Sequence, residues 1–165
     1  MRFAATIAYP ADVETVAAML ANEEFVTRKM SAAGALRSSC DVARDGAAFT
    51  VTTRADMPTT KIPSAFRSFV GESLEVTMVE AWGGPAADGS RTSTLTLEIN
   101  GVPVRVRGGQ RLVPTPQGCE ETYEGDVTAS VPLMGRKIER TAVGTVDDVV
   151  AVERRLGLEH LAKTS

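Results

Sequence analysis

Apolar and polar residues alternate with a period of two along much of the chain, and this pattern predicts β-strands. Residues 2–9 follow it, with Phe3, Ile7 and Tyr9 on one face, so a first strand is predicted there. The same period returns from residue 35 to about residue 131, in runs separated by turn signals at hairpin spacing. Six further strands joined mostly by hairpins are therefore predicted.

Helical spacing occurs in two other parts of the chain. After the first strand, Pro10 fits a helix start, and Asn22 is a candidate N-cap for a second short helix that Gly34 closes. From about residue 133 to residue 161, apolar or small residues recur near a period of 3.6. A long amphipathic C-terminal helix is predicted there.

Three hairpin registers place apolar residues on one face of the sheet. Asp45-Gly46 as a two-residue loop pairs position 44 with 47, and Asn100-Gly101 pairs 99 with 102, so that 97 lies opposite 104. A four-residue loop between positions 114 and 119 pairs 112 with 121 and sets Gly108 opposite Gly125, where a bend is expected. The other face of these strands is rich in charged residues and is expected to meet water.

These elements predict an α+β helix-grip fold, in which a curved seven-stranded antiparallel sheet (strand, two short helices, six strands) surrounds the long C-terminal helix. A single domain over residues 1–165 is expected. Residues 61–71 start near a proline and end at a glycine, which predicts two helical turns between the third and fourth strands. Phe66 and Phe69 share one side of this segment, and we expect them to gate entry to the interior.

The order of elements and the Tyr9-Pro10-Ala11-Asp12-Val13 transition resemble the START-like (SRPBCC, helix-grip) superfamily. Residues 21–25 (ANEEF), 62–66 (IPSAF) and 134–139 (MGRKIE) resemble, more narrowly, an actinobacterial branch of unknown function. The resemblance covers nearly the whole chain. It implies a hydrophobic cavity between the sheet and the long helix, of the kind used for lipids, sterols or polyketides. It identifies no catalytic residue.

Composition and charge exclude several other classes of protein. The net charge is −3 and there is no Lys/Arg block, so nucleic acid is not an expected partner. No apolar run reaches the roughly 20 residues of a spanning helix, and Pro10 interrupts the apolar start of the chain, so we expect a cytoplasmic protein that does not insert into membranes. Cys40 and Cys119 have no metal-ligand spacing and are predicted to be free thiols, and no metal or cofactor is expected. The sole histidine, His160, lies near the C-terminus, which argues against a Ser-His-Asp triad.

The predicted ligand-binding residues line the interior. They are Tyr9, Phe49, Met78, Leu97, Val104, Glu121 and Tyr123 from the sheet, Phe66 and Phe69 from the gating segment, and Ile138, Ala142 and Val149 from the long helix. The alternative is that these residues simply form the core. Small residues in the helix, namely Gly135, Ala142 and Gly144, favour an open space opposite the sheet.

Strand parity assigns two acidic residues, Glu80 and Glu121, to the apolar face. A carboxylate buried there would have a raised pKa and could act as an acid or bind the polar end of a ligand. Both lie near predicted strand ends, where the rim of the sheet is wet, so an ordinary structural role with a partner such as Arg111 is the favoured interpretation.

Three functional hypotheses follow. The first is noncatalytic binding of a small hydrophobic ligand such as a lipid or polyketide. The second is a cyclase- or aromatase-like enzyme in which Glu80, Glu121, Tyr9 or Tyr123 performs acid–base work. The third is a protein-interaction module with a filled core, for example a homodimer.

Overall fold

One seven-stranded antiparallel sheet forms the body of the protein, in the order β1-β7-β6-β5-β4-β3-β2. The computed structural model describes residues 1–164, without the side chain of Phe69. The strands are β1 (Arg2–Tyr9), β2 (Arg37–Asp45), β3 (Ala48–Pro58), β4 (Ser73–Trp82), β5 (Arg91–Ile99), β6 (Val102–Thr115) and β7 (Gly118–Ala129). Because β1 pairs with β7, the first and last strands of the chain are neighbours.

The helices lie where the sequence predicts them. They are α1 (Val13–Leu20), α2 (Glu23–Ala32), α3 (Ser64–Val70), which follows a 3-10 turn (Thr59–Lys61), and α4 (Gly135–Thr164). The Asn22 side chain caps α2 by accepting a hydrogen bond from the Phe25 amide at 2.9 Å. Asp12 caps α1 in the same way, so this helix begins three residues after Pro10. The curved sheet and the long helix confirm the α+β helix-grip prediction.

The β6–β7 register is confirmed. Leu112 pairs with Glu121 and Gly108 with Gly125, as predicted. The loop itself has two residues rather than four, because the strands remain paired as far as Thr115 and Gly118. A side chain at Gly108 would collide with the backbone of Glu124. The two facing glycines therefore let the strand backbones approach closely at this point.

The other two hairpins have the predicted faces but registers shifted by two residues. In the first, Arg44 pairs with Phe49, and the loop is Gly46-Ala47, because Gly46 takes a φ of +59° at the first loop position, as in a type II′ turn. In the second, Ile99 pairs with Val102 as predicted, but an irregularity after Glu98 moves Leu97 opposite Val106. A shift of two residues keeps each side chain on its own face.

Helix α4 occupies the concave side of the sheet, where it packs against β1, β7 and α2. The core includes Ile7 of β1, Phe25 of α2, Val127 of β7 and Leu156 of α4, all of them buried. The opposite side of the sheet exposes charged residues such as Arg107 and Glu124, as predicted. None of the helices within the described residues is long and apolar enough to cross a membrane.

Candidate functional site

Eight polar side chains lie buried between the sheet and helices α2 and α4, and we call them the inner polar cluster. Each is at most 9% exposed. They are Tyr9 of β1, Lys29 of α2, Glu80 of β4, Ser93 of β5, Gln110 of β6, Glu121 and Tyr123 of β7, and Glu153 of α4. So many buried polar groups are unusual in a domain of this size, because ionisable side chains are seldom fully buried without partners.

Glu153 is the centre of the hydrogen bonding. Its Oε2 accepts from the Lys29 ammonium at 2.6 Å, and its Oε1 accepts from the Tyr123 hydroxyl at 2.5 Å and from the Tyr9 hydroxyl at 3.4 Å. Burial opposes the charge on Glu153, but the attraction of Lys29 and these hydrogen bonds outweigh burial and hold its pKa below the usual value. Nearby carboxylates likewise raise the pKa of Lys29 against the effect of burial. The pair is therefore ionised.

Glu121 contrasts with Glu153 because it receives no hydrogen bond. It is 0% exposed, and within the described part of the chain no donor reaches either carboxyl oxygen. Burial raises its pKa well above the usual value, and the negative charge of Glu153 raises it further. A neutral Glu121 carries a proton that it can donate to Glu153, which interacts with it directly. The cluster thus contains two neighbouring carboxyl groups whose pKa values are shifted in opposite directions.

Glu80 belongs to a second group of hydrogen bonds in the cluster. Its Oε1 accepts from the Gln110 amide at 2.7 Å, and the Gln110 carbonyl accepts from the Ser93 hydroxyl at 2.5 Å. Burial is the largest influence on Glu80 and raises its pKa, against the opposing effects of Lys29 and Gln110. Ser93 lies directly opposite Gln110 across the β5–β6 pair, and Gln110 lies opposite Tyr123 across β6–β7. The polar cluster therefore crosses the concave face from strand to strand.

Three residues of the inner polar cluster are also among those predicted to line the interior. The sequence analysis does not predict what surrounds them. Tyr9, Glu121 and Tyr123 come together in the inner polar cluster. The expectation that Glu80 and Glu121 lie at a wet rim is wrong, because α2 and α4 cover that part of the sheet. Arg111 is exposed and is not their partner.

Lys29, Ser93, Gln110 and Glu153 are missing from the predicted site. Helical spacing carried a signal for two of them. Lys29 follows Phe25 by four residues, and Glu153 precedes Leu156 by three, so each lies on the apolar side of its helix. A charged residue at such a position indicates a buried partner on a neighbouring element, although the spacing does not identify that partner.

Three other predicted residues, Met78, Leu97 and Ala142, belong to an apolar surface that the protein covers only partly. We call it the half-open wall, and its side chains pack against the core yet keep part of their surface exposed. It consists of Met78, Leu97, Ile99 and Val102 on the sheet and Ala142, Val143 and Val146 on α4. Val149 is also half-exposed, one turn after Val146.

Four of the remaining predicted residues are buried. Val104, Ile138 and Phe66 belong to the core, and the Phe69 side chain lies outside the described residues. Phe49 stacks on Trp82 with ring centroids 6.1 Å apart, so it is part of a filled region.

Two of the three small helix residues do not open the interior as expected. Gly144 is exposed on the solvent side of α4. A Cβ at Gly135 would lie 2.6 Å from the Ala129 carbonyl oxygen, so that position is already crowded. Of the three, only Ala142 contributes to the half-open wall.

The 3-10 turn before α3 is tied to the middle of α4. Lys61 Nζ lies 2.7 Å from Asp148 Oδ2, and both side chains are mostly exposed. The Arg67 guanidinium donates to the carbonyl oxygens of Thr59, Thr60 and Ile62, which holds the turn against α3. This segment therefore lies next to the part of α4 that carries the half-open wall.

Sequence comparison identifies the family. The model of the family described as "Protein of unknown function (DUF2505)" matches residues 4–161. The chain belongs to this family. No functionally curated protein is similar enough in sequence to match this DUF2505 chain.

Solved structures share the fold at low sequence identity. A STAR-related lipid transfer protein from Xanthomonas axonopodis is 19% identical with a TM-score of 0.60, over 93% of this chain and 85% of that one. A START superfamily protein from Mycobacterium smegmatis is 15% identical with a TM-score of 0.54, over 98% and 97%. The protein TTHA0849 from Thermus thermophilus is 16% identical with a TM-score of 0.63, over the full length of both chains. The DUF2505 chain therefore has the START-like fold.

Proposed function

We propose that the protein binds a small hydrophobic molecule between the concave face of the sheet and α4. The observation that carries this proposal is the half-open wall, whose apolar side chains come from both the sheet and the helix. Burying apolar surface contributes about 25 cal/mol per Å². A molecule that buried the exposed part of these side chains would gain that contribution. The protein's own side chains leave this part exposed.

The arrangement of the wall and the cluster supports a ligand with one polar end. Met78 of the wall and Glu80 of the inner polar cluster are two residues apart on β4, so they share a face. Leu95, which pairs with Glu80, is in turn two residues from Leu97 of the wall. Ligand pockets commonly combine an apolar lining with a few convergent polar groups. The fold shared with a lipid transfer protein agrees with this interpretation.

We also propose that the 3-10 turn and α3 control entry. The Lys61–Asp148 ion pair joins this segment to α4 beside the half-open wall, and Phe66 of α3 reaches the core. An exposed ion pair contributes at most about 1 kcal/mol. It is therefore weak enough to open when a ligand enters.

Filling the wall tests the proposed site. A neutral solvatochromic dye such as Nile red is expected to bind the protein with a blue-shifted emission. Val146→Trp should weaken binding at least about tenfold, because a large ring would occupy the ligand's space. Asp147→Trp is the matched control, since Asp147 is exposed on the same helix. No binding to the unaltered protein, or equal binding by both variants, would refute the proposal.

A second candidate is acid–base catalysis on a bound ketone, and the opposite pKa shifts of the neighbouring Glu121 and Glu153 favour it. Two carboxyl groups held in different protonation states are suited to donating and accepting protons. Incubation of the protein with 2-octanone in D₂O would reveal catalysis as deuterium incorporation at the α-carbons by NMR. Loss of the exchange in Glu121→Gln would support this candidate, and exchange no faster than in buffer would exclude it for this ketone.

A further inference from the structure

We infer that the polar end of the ligand is a protonated amine and that Glu121 is its anionic partner. This inference rests on the proposed function and names the class of ligand. The observation behind it is a fully buried carboxyl group that receives no hydrogen bond from the described residues, within a cluster that has more acids than bases.

The inner polar cluster has more carboxyl groups than ammonium groups, so an added cation can take the place of a proton. Three carboxyl groups, those of Glu80, Glu121 and Glu153, share the interior with one ammonium group, that of Lys29. The Lys29 Nζ already forms an ion pair with Glu153 Oε2, 2.6 Å away. An ammonium group on a ligand carries one positive charge and three N–H donors, and charge interactions are stronger in a low-dielectric interior than in water. It would give Glu121 N–H donors and a positive charge of its own, since Lys29 is already paired with Glu153.

The groups that face Glu121 provide no other cation. They are Tyr9 of β1, Cys119 and Tyr123 of β7, Lys29 of α2, Glu153 of α4 and Glu80 of β4. Buried Arg91 lies elsewhere, where it is bound by Glu14 and by the Ala47 and Gly83 carbonyl oxygens. In the part of the chain that the structure describes, no group of three or more potential ligands is arranged to hold a metal ion.

The same charges disfavour other amphiphiles. A fatty acid would bring a fourth carboxyl group into a cluster that already contains the ionised Glu153, and like charges repel strongly where water is excluded. An alcohol would bring one O–H donor without a charge. Hydrogen bonds to charged groups contribute about twice as much as neutral ones. The expected order of affinity is therefore amine, then alcohol, then carboxylate.

Binding of an ammonium group has a consequence for protons. Burial raises the pKa of Glu121, which favours the protonated carboxyl in the free protein. When R-NH₃⁺ binds, the O–H bond of Glu121 breaks, the proton leaves to solvent, and the carboxylate pairs with the ammonium group. One positive charge replaces another, so the charge of the cluster is unchanged. Release of one proton makes the affinity rise about tenfold per pH unit while both groups remain protonated when free.

Three probes with the same tail test the inference. Octylamine, 1-octanol and octanoate are titrated into the protein by calorimetry between pH 6 and pH 8, in two buffers with different ionisation enthalpies. We expect octylamine to bind at least about tenfold more tightly than 1-octanol at pH 7.5, with release of one proton and about a tenfold gain in affinity per pH unit. The affinity for 1-octanol should be independent of pH.

A matched pair of variants assigns the effect to Glu121. Glu121→Gln should remove the proton release and reduce octylamine affinity at least about tenfold, and it should leave 1-octanol affinity within about threefold. Glu120→Gln is the control, because Glu120 is the adjacent residue of β7 and is exposed on the opposite face. It should change neither affinity.

The outcomes separate this inference from the proposed function. If none of the three probes binds, both fail. If 1-octanol or octanoate binds as tightly as octylamine, or if amine binding releases no proton, the amine inference is overturned and hydrophobic ligand binding stands. The same conclusion follows if Glu121→Gln binds octylamine like the unaltered protein.

Discussion

The two parts of α4 meet the sheet in opposite ways. Its C-terminal half is tightly packed, with Val150, Leu156 and Leu161 buried in the core. Its N-terminal half carries Ala142 and Val146, which remain partly exposed. We call these regions the packed end and the open side. The packed end buries charged groups, and the open side leaves apolar groups partly in contact with water.

This distribution is the reverse of what stability alone favours. Exposed large apolar surface and buried polar groups are the informative exceptions in a globular protein. Burying an ion pair costs desolvation that its attraction often fails to offset, and a hydrophobic replacement is often neutral or stabilising. The two exceptions are neighbours here, since Met78 of the half-open wall and Glu80 of the inner polar cluster lie on the same strand. A bound amphiphile would account for both.

The largest effect should come from removing one partner of a buried ion pair at the packed end. Lys29→Met leaves the Glu153 carboxylate buried without its cation, which typically costs about 3–5 kcal/mol of unfolding free energy. Lys61→Met is the same substitution at the exposed Lys61–Asp148 pair near the open side, and it should cost at most about 1 kcal/mol. Urea unfolding of both variants measures the difference. Similar losses in the two variants would contradict the contrast between the two regions.

The next effect is a dependence of stability on pH that arises from Glu121. Its pKa is raised in the folded protein, so above the unfolded value of about 4.5 the folded state holds a proton that the unfolded chain has lost. Stability from this group is complete below that value and decreases as pH rises towards the folded pKa, by about 1.4 kcal/mol per pH unit.

Glu121→Gln removes this titration. Its unfolding free energy should therefore fall less steeply than that of the unaltered protein between pH 5.5 and pH 7.5, by about 1.4 kcal/mol per pH unit. Urea unfolding at three pH values measures the two slopes. Glu120→Gln should keep the slope of the unaltered protein, and a Glu121→Gln slope as steep as that of the unaltered protein would show that Glu121 does not hold a proton in the folded state.

Most of the fold could be predicted because it depends on periodicity. Alternation sets which face each strand residue occupies, and that assignment survived errors of two residues in the β2–β3 and β5–β6 registers. The exact registers depend on details that periodicity does not contain. The positive φ of Gly46 selects a different pair of loop residues, and the irregularity after Glu98 adds residues to one strand only.

The site could be predicted only in part, because its chemistry depends on which elements cover the sheet. Strand parity correctly predicted that the side chains of Glu80 and Glu121 lie on the inner face of the sheet. Whether an inward carboxyl meets water or a helix depends on where α2 and α4 lie, and that is a tertiary contact. The Lys29–Glu153 pair joins residues 124 positions apart. Each residue carried a helical-spacing signal of burial, but their proximity is visible only in the folded chain.

The smallest expected changes in stability come from the same substitution, glycine to alanine, made at one position in each region of α4. At Gly157, in the packed end, a Cβ would lie 2.7 Å from Cε1 of the buried Tyr9 ring and 3.2 Å from the Met19 methyl group. Gly157→Ala should therefore destabilise the protein by about 1–3 kcal/mol through overpacking.

At Gly144 a Cβ would have no neighbour within 4 Å. Gly144→Ala should stabilise by up to about 1 kcal/mol, because alanine is the better helix former. Thermal and urea unfolding measure both changes. Because the helix propensities are the same at the two sites, only packing can give the changes opposite signs, and a gain in stability from Gly157→Ala would mean that the packed end is as loosely filled as the open side.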